Sequence, residues 1–209
     1  TPDNSASQGG PNGDGVYIIP VTVTDGNGGT FVTEVVYTVS NPAPVVDAPI
    51  GPQTAVDAQV ISIPAVISDP DDDGLTYSVS GLPAGLSIDP STGEISGTID
   101  NSASQMNGGV YTVTVTADDG EGGTVADTFD LTVTNPAPMA ANDTNTVSED
   151  SSVTGNVIAP NDTDPDLDDL IVSEVGGDAA NVGAPIGGDN GGVFTINPDG
   201  SYIFDAGGD

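Results

Sequence analysis

Four aspartates crowd into positions 69–73 of the segment "SDPDDDGLTYSV", namely Asp69, Asp71, Asp72 and Asp73. Carboxylates this close repel one another by about 1 kcal/mol per pair in water, and by several at the dielectric of a protein surface. The chain of 209 residues contains 32 acidic residues but no Lys, Arg or His, so no side-chain cation relieves this repulsion. A bound metal cation would relieve it, and carboxylate oxygens at this spacing favour Ca²⁺, which takes about six to eight oxygen ligands.

The composition limits the partners of this chain. Its formal net charge is -32, which excludes nucleic-acid binding because phosphate contacts need Lys or Arg, and which repels an anionic membrane surface. Of the acidic residues, 27 are Asp and five are Glu. Asp is typical of turns, caps and oxygen-ligand cation sites, whereas a merely solubilising acidic helix would be richer in Glu. No apolar run approaches the roughly 18 residues of a membrane span.

The same composition argues against an enzyme. Without His, Lys, Arg or Cys, catalytic triads, Schiff bases, phosphate handling and zinc sites are unavailable. A carboxylate pair of the glycosidase kind remains, but that chemistry uses a cleft lined by aromatic side chains, and this chain has no Trp and 4% aromatic residues. We therefore expect no catalytic activity. The absence of Cys also excludes disulfides, which leaves bound cations to reinforce small cores.

An internal repeat indicates the domain organisation. The hexapeptide "DNSASQ" occurs at 3–8 and again at 100–105, and each copy precedes a similar stretch that begins "GVY" and contains "NPAP". The period is about 97 residues, the size of one Ig-like sandwich domain. We therefore predict the C-terminal hairpin of one domain at 1–44, a complete domain at 45–138 and the N-terminal part of a third at 139–209, with both ends of the chain cutting through domains.

Short alternating segments predict an all-β chain. In the complete domain, Tyr111, Val113 and Val115 alternate with threonines, which is the period-2 pattern of a strand with one buried face. A "DDGEGG" turn then leads into a partner strand. No helix is predicted anywhere, and the pattern favours tandem Ig-like β-sandwiches. Further strands are predicted at 53–56, 59–67, 75–80, 86–88 and 93–98, and in the third segment at 144–147, 153–158, 170–175, 193–196 and 201–204.

The topology of a seven-stranded sandwich brings several acidic groups to one end of the complete domain. The loop between its second and third strands and the loop between its last two strands leave the sandwich at the same end. These loops contain residues 69–73 and 118–123, and the linker "NPAPVVDAP" reaches the same end. We therefore expect a Ca²⁺ site formed by Asn41, Asp47, Asp69, Asp71 and Asp73, together with Asp118 or Asp119.

Two longer motifs resemble known repeats. The run "GLPAGLSIDPSTGEISGTI", with the hairpin "VYTVTVTADDGEGGT", resembles the putative-Ig, dystroglycan-type cadherin-like repeats of bacterial surface proteins. The segment "ANDTNTVSEDSSVTGNVIAPNDTDPDLDDLIVSEVGG", with "GGVFTINPDGSYIF", resembles the VCBS/cadherin-like repeats of large secreted adhesins. These resemblances imply Ig-like, cadherin-like sandwiches in an extended array. They also imply an extracellular location, on the cell surface or secreted, and a role as a calcium-stiffened stalk or spacer of an adhesin or surface filament.

The cadherin-like resemblance also implies ligands from the far end of the preceding domain. At the first junction it adds Asp3. The linker "NPAP" differs from the Asp-Asn-Asp run of classical cadherins, so the number of ions per junction stays open. At the second junction the resemblance implies a set made of Asp57, Asp100, Asn135, Asn142, Asp143, Asp162, Asp164, Asp166 and Asp168.

Other interpretations of the acidic loop stay open. Asp69, Asp71, Asp73 and Gly74 match the first half of an EF-hand loop, but Ser80 stands where that loop has its final Glu, and no helix flanks it. Asp clusters also occur as solvated turns of acidic, halotolerant proteins.

Two alternative functions also stay open beside the structural repeat segment. One is a self-assembling filament subunit joined head-to-tail by strand complementation, and the other is a glycan-binding adhesive module. The expected partners are neighbouring repeats of the same chain or identical chains, with a cell-surface or glycan ligand bound through other regions.

Overall fold

The structure is a computed structural model that describes residues 7, 9, 15–188 and 191–207. Within these ranges the regular elements are strands and short 3-10 turns, so the prediction of an all-β chain is confirmed. No helical segment in the described part of the chain has the length and apolar character needed to cross a bilayer. The strands are β1 (Val16–Thr24), β2 (Thr30–Thr38), β3 (Val45–Ala48), β4 (Gln53–Val56), β5 (Val60–Ile63), β6 (Val66–Ser68), β7 (Thr76–Ser80), β8 (Leu86–Ile88), β9 (Ile95–Thr98), β10 (Val110–Asp118), β11 (Thr124–Thr134), β12 (Ser152–Asn156), β13 (Ile186–Gly187), β14 (Val193–Ile196) and β15 (Ser201–Asp205).

The chain divides into two compact units. Unit 1 comprises Thr1–Ala55 and Gln59–Thr134, and unit 2 comprises Val56–Ala58 and Asn135–Asp209. In unit 1, one sheet has the strand order β4-β11-β10-β7, a second has the order β5-β9-β8, and β3 pairs with β6. Two layers of sheet with a shared apolar interior make a β-sandwich.

The core of unit 1 follows from the alternation of its strands. Val113 and Val115 on β10, Leu131 on β11 and Ile95 on β9 are almost completely buried and belong to one hydrophobic cluster. Burying a side chain of this size stabilises a fold by about 1.5–3 kcal/mol relative to leaving it exposed. Because these residues come from both sheets, their contact holds the sandwich together.

The β10–β11 hairpin forms the centre of the larger sheet. Its strands pair antiparallel over nine residues of β10, from Val110 to Asp118. The outward threonines hydrogen-bond across the strands; the Thr112 hydroxyl donates to Asp130 over 2.9 Å. At the start of β10 the Tyr111 hydroxyl donates to the Ala103 carbonyl over 2.7 Å, which fastens the preceding connection to the hairpin.

A second hairpin, β1–β2, repeats this pattern in a different environment. Its register places Ile19 opposite Val35, as Val113 lies opposite Phe129 in β10–β11. Ile19 is 49% exposed, whereas Val113 is 0% exposed. β1 and β2 form a two-stranded sheet of their own, so the apolar alternation of these strands is not matched by burial.

The strand predictions for unit 1 differ from the structure in two places. The predicted strand at 59–67 is two strands, β5 and β6, because Pro64 lies between them and has no N–H to donate to a ladder. The sequence does not predict β3, which the linker forms by pairing with β6, with a register shift between Val46 and Ala48. An irregular four-residue strand has too little alternation to be recognised from sequence.

Unit 2 contains one sheet with the strand order β12-β15-β14-β13. Phe194 lies opposite Phe204, and Ile196 lies opposite Tyr202. These four side chains line an open cavity of about 230 Å³. One face of this sheet is therefore apolar.

Two strands predicted for unit 2, at 144–147 and 170–175, are not strands in the structure. In the first segment, the Asn145 side-chain oxygen accepts from the Thr146 backbone amide over 2.8 Å, and such local bonds compete with a backbone ladder. In the second, the Val172 amide donates one bond of 2.9 Å to the turn before β15 without a continuous ladder. The remaining predicted strands agree with β12, β14 and β15 within about two residues.

The sandwich core can be tested with a matched pair of truncations. Leu131 is 1% exposed, and Leu131→Ala is expected to lower the free energy of unfolding of unit 1 by about 2–5 kcal/mol, because it leaves a cavity. Tyr37 occupies the same position in the β1–β2 hairpin and is 57% exposed, so Tyr37→Ala is expected to cost about 0.5 kcal/mol or less. Guanidinium denaturation followed by circular dichroism measures both. Equal losses in the two variants would contradict this core.

Candidate metal centre

The loop between β6 and β7 folds back on its first aspartate. The Asp69 carboxylate oxygen Oδ1 accepts hydrogen bonds from the amides of Asp71 (3.0 Å) and Asp73 (3.4 Å). The Asp72 amide donates to the Asp69 carbonyl over 3.2 Å, and Asp72 adopts a left-handed conformation with φ of 66°, which Asp tolerates better than most residues. The turn therefore gathers Asp71 and Asp73 around Asp69 and leaves Asp72 exposed.

Three of the four aspartates form a compact set of oxygens. One carboxylate oxygen from each of Asp69, Asp71 and Asp73 lies within 4.8 Å of the other two. Asp69 is only 8% exposed. The buried oxygens Asp69 Oδ2, Asp71 Oδ1 and Asp73 Oδ2 accept no hydrogen bond from the protein. Buried carboxylate oxygens without a donor are costly unless a proton or a cation compensates them.

A proton is one such compensation. A hydrogen bond between the two side chains lowers the pKa of Asp69 and raises the pKa of Asp71 to about 6. Burial and the charges of Asp73 and Asp69 also raise the pKa of Asp71, while the amides of Asp71 and Asp73 help to hold that of Asp69 down. Asp71 therefore carries a proton near neutral pH more readily than an ordinary aspartate. A divalent cation would replace this proton and satisfy all three carboxylates.

The linker reaches the same end of the sandwich through Asn41. Its Nδ2 donates to Asp119 Oδ2 over 2.9 Å and to the Pro42 carbonyl over 3.0 Å, while its buried Oδ1 accepts no hydrogen bond. Asp119 is 5% exposed, and its Oδ1 accepts from the amides of Glu121 (2.7 Å) and Gly123 (2.9 Å). Asp119 thus holds the hairpin turn with Oδ1 and the side-chain NH₂ of Asn41 with Oδ2. The side-chain oxygen of Asn41 is left available as a neutral ligand.

Strand registers explain why these groups occupy one end of unit 1. Asp69 directly follows Ser68, which pairs with Val45 in the linker. Asp119 directly follows Asp118, which pairs with Thr76 at the start of β7. The acidic loop, the β10–β11 turn and the linker therefore meet at the same sheet ends, as the sandwich topology predicts.

The other residues predicted for the first site have different surroundings. Asp47 is exposed on β3. Burial of Tyr77 raises the pKa of its hydroxyl, and the charge of Asp47 raises it further. Asp118 is exposed, and its Oδ1 accepts from the Gly120 amide over 2.8 Å, so it shapes the turn. Asp3 lies outside the described residues.

Unit 2 contains a second turn of the same kind. In "DPD" at 164–166, Asp164 Oδ1 accepts from the Asp166 amide over 3.0 Å, as Asp69 does from Asp71. A side-chain hydrogen bond between them lowers the pKa of Asp164 and raises that of Asp166 to about 6. Both residues are buried, and the charge of the half-buried Asp168 also raises the pKa of Asp166.

The remaining residues predicted for the second site serve other local contacts. Asp57, which belongs to unit 2, is 3% exposed. Asp162 Oδ1 accepts from the Ala141 amide over 2.8 Å, and Asn142 and Asp143 are exposed. Asn135 is exposed and donates to the Pro136 carbonyl over 3.1 Å. In unit 1, Asp100 is exposed and accepts from the amide (3.0 Å) and the hydroxyl (2.7 Å) of Ser102, which lower its pKa.

One carboxylate that supports the site region is not recognised from sequence. Asp127 Oδ2 accepts from the Ile50 amide over 2.8 Å, which fixes the segment between β3 and β4 on β11. The two residues are 77 positions apart, so no local pattern relates them. By contrast, the role of Asp119 has a sequence signal: Asp25, at the same position of the β1–β2 turn, also accepts from two turn amides, those of Asn27 (2.8 Å) and Gly29 (3.0 Å).

The donor set fits a hard divalent cation. Carboxylate and amide oxygens suit Ca²⁺ or Mg²⁺, whereas Zn²⁺ sites are built from Cys and His, neither of which this chain contains. The three aspartates would supply part of the shell of about six to eight oxygens that Ca²⁺ takes, and Asn41 offers a further buried oxygen at the same end of the sandwich. Backbone carbonyls and water are the usual source of the rest.

Comparison with protein families identifies the domains. Residues 43–134 match the model of the family described as "Putative Ig domain", and residues 135–209 match that of the bacterial Ig domain. A region similar to the first family is thus followed by a region similar to the second, and the predicted Ig-like fold class is confirmed. No curated protein sequence is detectably similar to the chain.

Solved structures with similar chains include cadherin fragments and larger enzymes. EC1-2 of human protocadherin-24 is 22% identical, with 80% of this chain and 79% of that chain covered and a TM-score of 0.39. EC1-4 of Drosophila N-cadherin is 17% identical, with 84% and 43% covered and a TM-score of 0.42. A putative alpha-galactosidase/melibiase from Bacteroides fragilis is 20% identical, with 46% and 20% covered and a TM-score of 0.36. The chain therefore spans about a fifth of the length of that protein.

The raised pKa of Asp71 predicts a pH dependence in the metal-free protein. Its folded-state pKa is about 6 and its ordinary value is 3.8, so between these pH values the folded chain holds a proton that the unfolded chain releases. The free energy of unfolding should therefore rise as the pH falls from 7 to 5, and this contribution is lost as the pH rises through about 6. Asp166 adds an effect of the same sign.

Thermal melts at pH 5 and pH 7, after divalent ions are removed on a chelating resin, measure this dependence. Asp71→Asn is expected to reduce the difference between the two midpoints, whereas Asp72→Asn, at the exposed neighbour, is expected to preserve it. The same reduction in both variants would attribute the effect to net charge rather than to the Asp69–Asp71 pair.

Proposed function

We propose that the chain is a structural segment of an extracellular protein in which bound Ca²⁺ stiffens a series of Ig-like domains. The observation that carries this proposal is the cluster of Asp69, Asp71 and Asp73, whose buried oxygens lie close together without a hydrogen-bond donor. In a chain without Lys, Arg or His, a cation from solution is the only partner that removes their repulsion without protonation.

Calcium fits the proposed site better than magnesium. Mg²⁺ demands near-ideal octahedral geometry at about 2.0–2.1 Å and keeps several waters, whereas Ca²⁺ accepts an irregular shell at about 2.3–2.6 Å. The ligands of this site come from one loop and from the linker residue Asn41, and both are irregular segments. Millimolar Ca²⁺ is available outside cells, where a weak site of this kind would still be filled.

The mechanical role rests on which segments the site would join. Asn41 precedes the sandwich and is already held by Asp119 at the β10–β11 turn. A cation that binds the Asn41 oxygen together with the acidic loop would fix the linker to the sandwich at a second point. The similar turn at Asp164 and Asp166 would provide a second ion site within unit 2.

Calcium binding can be tested with a charge-matched control. Ca²⁺ at about a hundredfold excess over its dissociation constant should stabilise the folded chain by ~2.7 kcal/mol per site, so the melting midpoint should rise at low salt and return in EGTA. Asp71→Asn should weaken binding at the first site at least about tenfold, because it removes one of three charged ligands. Asp72→Asn removes the same charge one residue away, at an exposed position. Asn tolerates the φ of 66° at this position, and this variant should bind Ca²⁺ as the wild type does.

Calorimetric Ca²⁺ titration of the two variants separates this proposal from a solvated acidic turn. The solvated turn predicts no midpoint shift in the wild type and equal behaviour of both variants. Mg²⁺ at the same concentration serves as the ion control and should produce the smaller shift.

The stiffening itself has a separate observable. If a bound ion fixes the linker to the sandwich, small-angle scattering should give a larger radius of gyration in Ca²⁺ than in EGTA, because a flexible chain samples more compact arrangements. The Asp71→Asn variant should show a smaller change. An identical radius in Ca²⁺ and in EGTA, with calorimetry showing bound ion, would refute the mechanical role while leaving the metal site intact.

A further inference from the structure

The turn between β1 and β2 contains an Asn-Gly pair, Asn27 and Gly28. Asp25 holds the amides on either side of the Gly28 nitrogen, because its Oδ1 accepts from the Asn27 amide over 2.8 Å and from the Gly29 amide over 3.0 Å. Within the described residues 15–188, the Gly28 N–H and the Asn27 side chain make no hydrogen bond. Both residues are exposed. The turn is therefore held together without these two groups.

The same two groups can react with each other. The backbone nitrogen of Gly28 can attack the side-chain Cγ of Asn27, which forms a five-membered succinimide ring and releases Nδ2 as ammonia. The Gly28 N–H proton passes through water to the leaving nitrogen. Water then opens the ring at either carbonyl and leaves aspartate or isoaspartate at position 27. Because the amide lone pair is delocalised into the peptide bond, the nitrogen attacks only as it loses its proton, and base accelerates the reaction.

The space around Gly28 permits this attack. Gly28 has a φ of 97°, and a Cβ added to it would meet no atom within 4 Å. Glycine has no side chain of its own to hinder the approach of its nitrogen to the Asn27 side chain. A proline nitrogen has no proton to lose, which excludes the same reaction at Asn41, Asn135 and Asn197, each of which precedes Pro.

The repeat shows that the exposure of this position belongs to the turn itself. In the β10–β11 turn, Gly122 has a φ of 100° and equally open space around it, and Asp119 accepts from two amides as Asp25 does. Glu121 stands at the position of Asn27, and it is exposed although the linker reaches this turn. A glutamate has no ammonia to release, so the second copy has the geometry without the reactive group.

A second Asn-Gly pair lies in a more tightly held segment. Asn107 is exposed and precedes Gly108. The amide of Gly109 donates to the Met106 carbonyl over 2.8 Å, and Gly109 lies so close to the Val133 carbonyl that no Cβ would fit there. Rotation of the main chain at this pair would break these contacts. Asn107 should therefore react more slowly than Asn27.

We propose that Asn27 is a site of spontaneous deamidation, at which the β1–β2 turn gains aspartate or isoaspartate after synthesis. The aspartate product carries one further negative charge two residues after Asp25, the spacing of Asp69 and Asp71. The isoaspartate product adds a methylene to the main chain between the two amides that Asp25 holds. It should therefore weaken the turn, whereas the aspartate product should preserve it.

Peptide mapping of the full chain after incubation at pH 8 and at pH 6 tests this proposal. Trypsin finds no Lys or Arg to cleave after, but chymotrypsin can release residues 18–31 by cleavage after Tyr17 and Phe31. This peptide should gain the mass of one amide-to-acid conversion, faster at pH 8 than at pH 6. Protein isoaspartyl methyltransferase should label part of the product. The peptide that contains Asn107 should change more slowly in the same samples.

Two substitutions separate reaction at this turn from general hydrolysis. Asn27→Gln keeps a side-chain amide but must close a less favourable six-membered ring, so the 18–31 peptide should stop gaining mass. Glu121→Asn places Asn before Gly122 in the matching turn and should create a new reactive site there. Hydroxylamine, which cleaves the chain at a succinimide, should cut the incubated wild type at position 27 and leave Asn27→Gln intact at that position.

Three results would overturn the proposal. The first is an 18–31 peptide that keeps its mass at pH 8. The second is a rate at Asn107 equal to or greater than that at Asn27, which would mean that the geometry of the turn plays no part. The third is a Glu121→Asn variant in which the new asparagine stays intact, because the two turns share the conformation from which the reaction is inferred.

Discussion

The repulsion between carboxylates that have no cationic side chain to pair with constrains the whole of this molecule. A chain with 32 acidic residues and no basic ones must neutralise charge with backbone amides, protons or ions from solution. Backbone amides stabilise several of these charges: Asp25, Asp69 and Asp119 each accept two amide hydrogen bonds in a turn. Asp71 and Asp73 retain buried oxygens that accept no hydrogen bond from the protein. These are the oxygens that a bound metal ion would satisfy.

Sequence reasoning recovered the parts of the fold that repeat a short pattern. The alternation around Val113 and Leu131 predicts β10 and β11 because a strand with one buried face has a period of two residues. The acidic triad is found from sequence for a similar reason, since its members lie within five residues. Such features depend on local spacing, which a single sequence displays directly.

The parts that sequence reasoning missed depend on contacts between distant segments. The sequence places Asn41 and Asp119 at the same end of the sandwich as possible ligands, but it does not show the hydrogen bond between these two residues, 78 positions apart, by which Asp119 orients the linker. The segment at 144–147 has the composition of a strand, but the Thr146 backbone amide donates to the Asn145 side chain instead of to a neighbouring strand. The hairpins β1–β2 and β10–β11 show the same limit, because nearly the same pattern is exposed in one and buried in the other.

The direction in which the chain passes through unit 1 has a mechanical consequence. The linker meets the sandwich at the end that contains the β10–β11 turn, and the chain leaves at Thr134, the far end of β11. Tension along the chain would therefore pull on opposite ends of the sandwich and load β11 in shear against its neighbours β4 and β10, so that many hydrogen bonds must break together. Resistance to force is governed by the rate of unfolding rather than by equilibrium stability. A domain with a modest core can therefore still sustain a load when its strands lie along the line of pull.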